Sequence, residues 1–147
     1  MSNWCVGTLK VRGIRTDLEK FVLEVLKPIS QGDLSMDEYG RVACDKRCWI
    51  EGTTKGYVDG VNVYFPDLSD DDEMYVVFFE SRFANAIKPE ELLEISKKYD
   101  VDMRIHAFER GMHFNQVVEI VDGEMIQDYV KHIDDYDWEC ICPGKGG

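Results

Sequence analysis

The stretch Asn3-Trp4-Cys5-Val6-Gly7-Thr8-Leu9-Lys10-Val11-Arg12-Gly13 sets how the rest of the chain is read. Its residues alternate: Cys5, Gly7, Leu9 and Val11 share one face, Val6, Thr8, Lys10 and Arg12 the other. That period of two is the mark of a half-buried strand, here ending at Gly13. Immediately after it, Thr16-Asp17-Leu18-Glu19 has the spacing of a capping box. Leu18, Phe21, Val22, Val25 and Leu26 then form a stripe at helical spacing that would lie on the sheet, and Pro28 stops the run.

Farther along, residues 29 to 46 carry Gly32 and Gly40 without sustained periodicity and read as a long loop holding at most a turn of helix. Cys48 to Thr53 and Tyr57 to Phe65 read as a strand pair turning near Lys55-Gly56. Met74-Tyr75-Val76-Val77-Phe78-Phe79 is apolar on both faces, as a central strand would be. Lys88-Pro89-Glu90-Glu91 opens a second helix, with acids in its first turn, Lys97 and Lys98 in its last, and Leu92, Ile95 and Tyr99 facing inward. Val101, Met103, Ile105 and Ala107 alternate before a turn at Arg110-Gly111, after which Phe114 to Val121 pairs back as a hairpin. Ile126, Tyr129, Val130 and Ile133 fit a short helix, after which the chain turns acidic and Gly-rich. The predicted fold is α+β: a ferredoxin-like, split β-α-β antiparallel sheet with two helices on one face and an extra C-terminal strand or tail. Its domain spans residues 1 to 124, and 125 to 147 form an acidic extension packed on or trailing from it.

A chain of 147 residues with 44% hydrophobic and 31% charged residues has the makeup of one globular domain. Met1-Ser2-Asn3-Trp4-Cys5 lacks the basic and apolar regions of a secretory signal, and no window approaches 18 uninterrupted apolar residues. A cytoplasmic location without membrane contact is therefore expected, with the five cysteines as reduced thiols. The net charge of -12 argues against direct nucleic-acid binding, which needs clustered Lys and Arg. It favours a protein partner with a basic surface.

Three patterns add a family resemblance: Asn3-Trp4-Cys5 leading into Leu9-x-Val11-x-Gly13, Pro89-x-x-Leu92 running through Ile95-Ser96-Lys97-Lys98-Tyr99, and Phe108-Glu109-x-Gly111-x-x-Phe114. Spread over residues 3 to 121, they resemble the YubB-type, or Api-like, ferredoxin-like family of small bacteriophage and plasmid proteins. The chain has Ser2 where members usually have Pro, Asn115 where they often have Gly, and no Trp before the second helix. The resemblance implies a ferredoxin-like fold, a mobile-element origin and a bacterial host cell. It assigns no catalytic residue.

Cys44 and Cys48 are separated by three residues, and Cys140 and Cys142 by one. Four thiolates can make a structural zinc site, but neither pair has the two-residue spacing of a zinc knuckle, so no metal or other cofactor is assigned. His106, His113 and His132 stand in no nucleophile or metal pattern, so no catalytic residue is assigned either. The acidic run from Asp67 through Asp70, Asp71, Asp72 and Glu73 lacks the Gly and the bidentate Glu of a calcium loop. A second cluster, Asp134, Asp135, Asp137 and Glu139, interleaves Tyr136 and Trp138, residue types enriched at interface hot spots. The expected function is that of a non-catalytic protein-binding module, an inhibitor that imitates phosphate charge toward a host nucleic-acid-binding defence protein. Its contact residues would be Asp70, Asp71, Asp72 and Glu73, or Asp134, Asp135, Tyr136, Asp137 and Trp138. The alternatives are a thiol-dependent or hydrolytic enzyme and a zinc-stabilised structural component.

Overall fold

A computed structural model describes residues 2–65 and 72–147. The elements run β1 (Trp4–Ile14), α1 (Arg15–Val25), β2 (Leu26–Pro28), β3 (Arg41–Cys44), β4 (Cys48–Ile50), β5 (Gly56–Val58) and β6 (Val61–Tyr64). Then come β7 (Met74–Ala84), α2 (Pro89–Tyr99), β8 (Asp102–Glu109), β9 (Phe114–Val121), β10 (Glu124–His132) and α3 (Tyr136–Glu139).

β1 is the spine. It pairs antiparallel with β7 over its whole length, from Trp4 opposite Ala84 to Ile14 opposite Met74, and with β8 on its other side. Outward from these, the order β10-β9-β8-β1-β7-β5-β4-β2 makes one eight-stranded antiparallel sheet, and β3 with β6 makes a separate pair. Cys5, Leu9 and Val11 of β1 are fully buried beneath the helices, as the alternation predicts. From α1, Leu18, Phe21, Val22 and Val25 pack down on this face, each contributing roughly 1.5–3 kcal/mol by leaving water. α2 adds Leu92 and Ile95. It begins with Pro89 in its first turn and ends at Asp100 in the left-handed conformation.

The ferredoxin-like α+β expectation is corrected by this architecture. Among the described residues, 46% are strand and 19% helix, and the helices are three short segments beside an eight-stranded sheet. Two local events enlarge the sheet. Between Leu26 and Tyr64 the chain breaks into five short strands, with β3 inside the expected loop and the Tyr57–Phe65 strand divided between the two sheets. The stretch expected to form a C-terminal helix is instead β10, which pairs back on β9. Asp122 and Gly123 form its turn, with φ of 52° and 72°. Positive φ at both central residues is what a two-residue hairpin turn of matching twist requires.

Two smaller expectations also change. α1 starts at Arg15 directly from the strand without a side-chain cap, so the Thr16 capping box does not form, and Arg15 pairs with Glu19 one turn on. β7 is central, but only one of its faces is covered: Met74, Val76 and Phe78 are exposed on the side away from the helices.

Gly7 marks the tightest point of the central ladder, where any Cβ would strike the His106 carbonyl oxygen of β8. The strands cannot part there without disturbing both neighbours. Gly7→Ala is expected to cost at least about 1–3 kcal/mol, the range for forcing extra volume into a packed site. Urea unfolding measures it; an unchanged midpoint would show that the β1–β8 contact is looser than described.

Candidate functional site

Phe108, near the end of β8, lies on the sheet face opposite the helices and yet is almost fully buried. What covers it is the chain that follows β10. Ile133, Tyr136 and Cys140 form a second, small hydrophobic cluster with Phe108, and half-buried Cys142 packs against it. Tyr136 opens the single turn of α3 and Cys140 caps its end four residues on, and both side chains are buried inward. Their polar ends converge on β9: the Tyr136 hydroxyl and the Cys140 thiol both donate to Asn115 Oδ1, at 3.3 and 3.5 Å. The His113 ring stacks on the Tyr136 ring at 5.2 Å. Burial, the hydrogen bond with Cys140 and nearby negative charge hold the Tyr136 phenol well above its ordinary pKa, so it remains a neutral donor.

The far end of this segment is also fastened. Arg110 Nη1 donates to the Pro143 carbonyl oxygen at 2.6 Å and pairs with Asp137 at 3.1 Å. The Gly147 N–H donates to the Trp4 carbonyl oxygen at 2.8 Å. The turn beneath is braced by Glu109, a fully buried carboxylate that accepts from the N–H groups of Gly111 and Met112 at 2.6 and 2.8 Å. Asn3 packs against Gly111, where a Cβ would collide with its side chain. Asn3, Trp4, Phe108, Glu109 and Gly111, drawn from the two outer patterns of the family resemblance, therefore meet at this end of the sheet.

What the fastened segment shows to solvent is an exposed Trp138 (84%) and Ile141 (80%) among exposed Asp134, Asp135, Asp137 and Glu139. Tyr136, expected as a contact residue, is instead the buried anchor beneath them. Of the other acidic run, Asp70 and Asp71 lie outside the described residues, and Asp72 and Glu73 precede β7. β7 begins opposite Ile14, whereas the C-terminal corner adjoins Trp4, so about 33 Å of β1 separates Asp72 and Glu73 from the C-terminal acidic cluster. Those two residues do not share a patch with it.

The cysteine pairs are separated too. Cys44 and Cys48 lie at β3 and β4, while Cys140 sits over β9, five strand spacings or roughly 24 Å across the sheet. Among the described residues, no group of three or more His, Cys, Asp or Glu side chains is arranged to hold a metal ion. His106 stacks on Phe108 and His113 on Tyr136, and no cysteine–histidine hydrogen bond occurs among the described residues. No described helix is long and apolar enough to cross a membrane.

Sequence reading missed a cation–aromatic cluster beside the corner. The Arg47 and Arg82 guanidinium groups lie 5.8 and 5.7 Å from the Trp4 ring centre, and Arg47 also lies over Tyr57. Asp59 accepts two hydrogen bonds from Arg82, at 2.7 and 3.0 Å. These five residues come from three separate stretches of the chain, and strand order brings them together. A shallow hollow on the same sheet face, lined by Lys10, Arg12, Val76, Asp102, Arg104 and Glu119, is occupied by ion pairs, Arg12 with Asp102 and Arg104 with Glu119.

Tyr136→Ala should release the corner without unfolding the sheet, because the anchor's contacts lie outside the main core. Hydrogen exchange is expected to show lost protection at Trp138, Glu139 and Cys140 with β1 and β8 unchanged; equal protection in the variant would mean that Tyr136 is not the anchor. The thiols give a second test. Burial pushes Cys5 and Cys48 up to about 12, so both stay protonated and slow to alkylate at pH 8, whereas half-exposed Cys44 and Cys142 should label first. Because the folded Cys5 value lies above the ordinary 9.0, its stabilising contribution is intact below about pH 9 and is lost as the pH rises toward 12. Fast labelling of Cys5 in the native protein would contradict this.

Comparison with protein-family models, curated proteins and solved structures finds no significant match, so the resemblance to the YubB-type family rests on the residues quoted for it.

Proposed function

We propose that the chain is a non-catalytic protein-binding module that grips a basic partner surface with its acid-rimmed C-terminal corner. The observation that carries this reading is the exposure of Trp138 and Ile141 on a segment whose Ile133, Tyr136 and Cys140 side chains are buried. A large indole left in water on a secured backbone can be buried by a partner at little ordering cost. Covering the 150–250 Å² typical of an aromatic side chain corresponds to about 4–6 kcal/mol gross at 25 cal/mol per Å². Asp134, Asp135, Asp137 and Glu139 surround it with negative charge, which steers a basic surface inward and disfavours pairing with a second copy. The resemblance to phage and plasmid proteins adds the bacterial setting: an inhibitor that occupies a nucleic-acid groove of a host defence protein, with carboxylates standing where phosphates would.

The test separates the aromatic from the charges. Immobilised protein is exposed to bacterial lysate at low and high salt, and the retained basic protein is then purified for binding kinetics. Trp138→Ala should weaken binding by about 30-fold or more, the effect of losing a hot spot of 2 kcal/mol, chiefly through faster dissociation. Asp134→Asn with Asp135→Asn should slow association and flatten its salt dependence. Retention that is indifferent to salt and to Trp138→Ala, or no retained partner at any salt, would overturn the reading.

A further inference from the structure

Cys44 and Cys48 close the two ends of a three-residue link, Asp45-Lys46-Arg47, that leads from β3 in the small sheet to β4 in the large one. Both thiols turn toward the same atom. Cys44 Sγ donates to the Lys46 carbonyl oxygen at 3.6 Å and Cys48 Sγ donates to it at 3.7 Å. Two sulfurs within hydrogen-bond reach of one oxygen form a dithiol, and each lies in the field of the other. Their settings differ: Cys44 is half-exposed at the end of β3, whereas Cys48 is fully buried between β2 and β5.

We propose that Cys44 and Cys48 are a reactive dithiol that low-molecular-weight disulfides of the glutathione type convert to an intramolecular disulfide. The difference in exposure fixes the order of steps. The Cys44 thiolate, having lost its proton to solvent, attacks one sulfur of the small disulfide. A Cys44–small-molecule bond forms, the reagent's S–S bond breaks, and one thiolate leaves to take up a proton. The Cys48 thiol, kept protonated at rest by burial, gives up its proton to solvent in the slow step and attacks Cys44 Sγ, forming the protein S–S bond and expelling the second small thiolate, which is protonated in turn. Overall the two cysteines lose two electrons and two protons, and one small disulfide becomes two thiols.

Closure has a consequence for the other side of the sheet. Arg47 is the residue immediately before Cys48, and its guanidinium lies over Trp4 and Tyr57 and 3.8 Å from Asp59. A covalent bridge spanning its link ties the small sheet to the large one and fixes the backbone that carries Arg47.

The native full-length protein, treated with oxidised glutathione, is mapped by mass spectrometry after acid quenching and non-reducing digestion. The expected product joins the Cys44 and Cys48 peptides within one chain, with the loss of two hydrogens. Cys48→Ser should trap the glutathione adduct on Cys44, and Cys44→Ser should leave Cys48 unmodified. Should the Cys48→Ser chain fail to fold, the wild-type map still decides. A stable glutathione adduct on Cys44 beside a reduced Cys48, bridges only between chains, or modification confined to Cys142 would each overturn the proposal.

Discussion

Everything in this molecule follows from a shortage of cover. The pairing of β1 with β7 and β8 builds a wide antiparallel sheet, and among the described residues α1 and α2, both short, and the small β3–β6 sheet shield it. They go to the face where Leu9, Val11, Phe79 and Ile105 lie fully or almost fully buried. The other face must be made compatible with water in other ways, because exposing Phe108 and its neighbours as one apolar surface would invite association. Part of it carries charges arranged in pairs, such as Arg12 with Asp102 and Arg104 with Glu119. Part is occupied by arginines resting on Trp4 and Tyr57. The end at Phe108 is closed by the C-terminal segment itself.

That last solution creates the candidate site. A segment committed to covering Phe108 spends Ile133, Tyr136 and Cys140 inward, and a single helical turn then leaves Trp138 outward. The inward residues are held by Asn115 and His113, and the ends by Arg110 and Trp4. The corner is thus attached to the sheet along its length, and the exposed indole projects from a backbone with a fixed place on it. A partner would meet a preformed surface, with the carboxylates setting how fast it arrives and the indole how long it stays.

The local alternations were legible because period-two and helical patterns report burial directly. Asn3 to Gly13, the stripe on α1, the Pro89 start of α2 and the turn at Arg110-Gly111 all have the expected character. The C-terminal strand was misread because Ile126, Tyr129, Val130 and Ile133 fall at helical spacing. The local signal that outweighs it is Asp122-Gly123, a pair suited to positive φ at both turn positions. Once that turn forms, β9 supplies the pairing that propensity alone does not predict. Met74 to Phe79 looked apolar on both sides because composition cannot tell a doubly covered strand from one that exposes an apolar face. The ferredoxin-like plan failed through these additions, which turn a small helix-covered sheet into a mostly β structure. At the site, the cluster around Trp138 was visible as aromatics among acids. The inward role of Tyr136 was not, since the sequence does not say what lies beneath it. The separation of Asp72 and Glu73 from the C-terminal acids was illegible for the same reason: sequence distance carries no information about opposite ends of one strand.

Trp138 is held rigidly through its backbone while its indole is left in water. Nuclear spin relaxation of its backbone amide, recorded together with solvent exchange of its indole N–H, addresses both halves at once. A fastened corner gives an order parameter near the 0.85 of rigid backbone with an indole proton that exchanges readily with water. An order parameter below 0.6, or an indole proton protected from exchange, would mean that the indole is loosely carried or already covered.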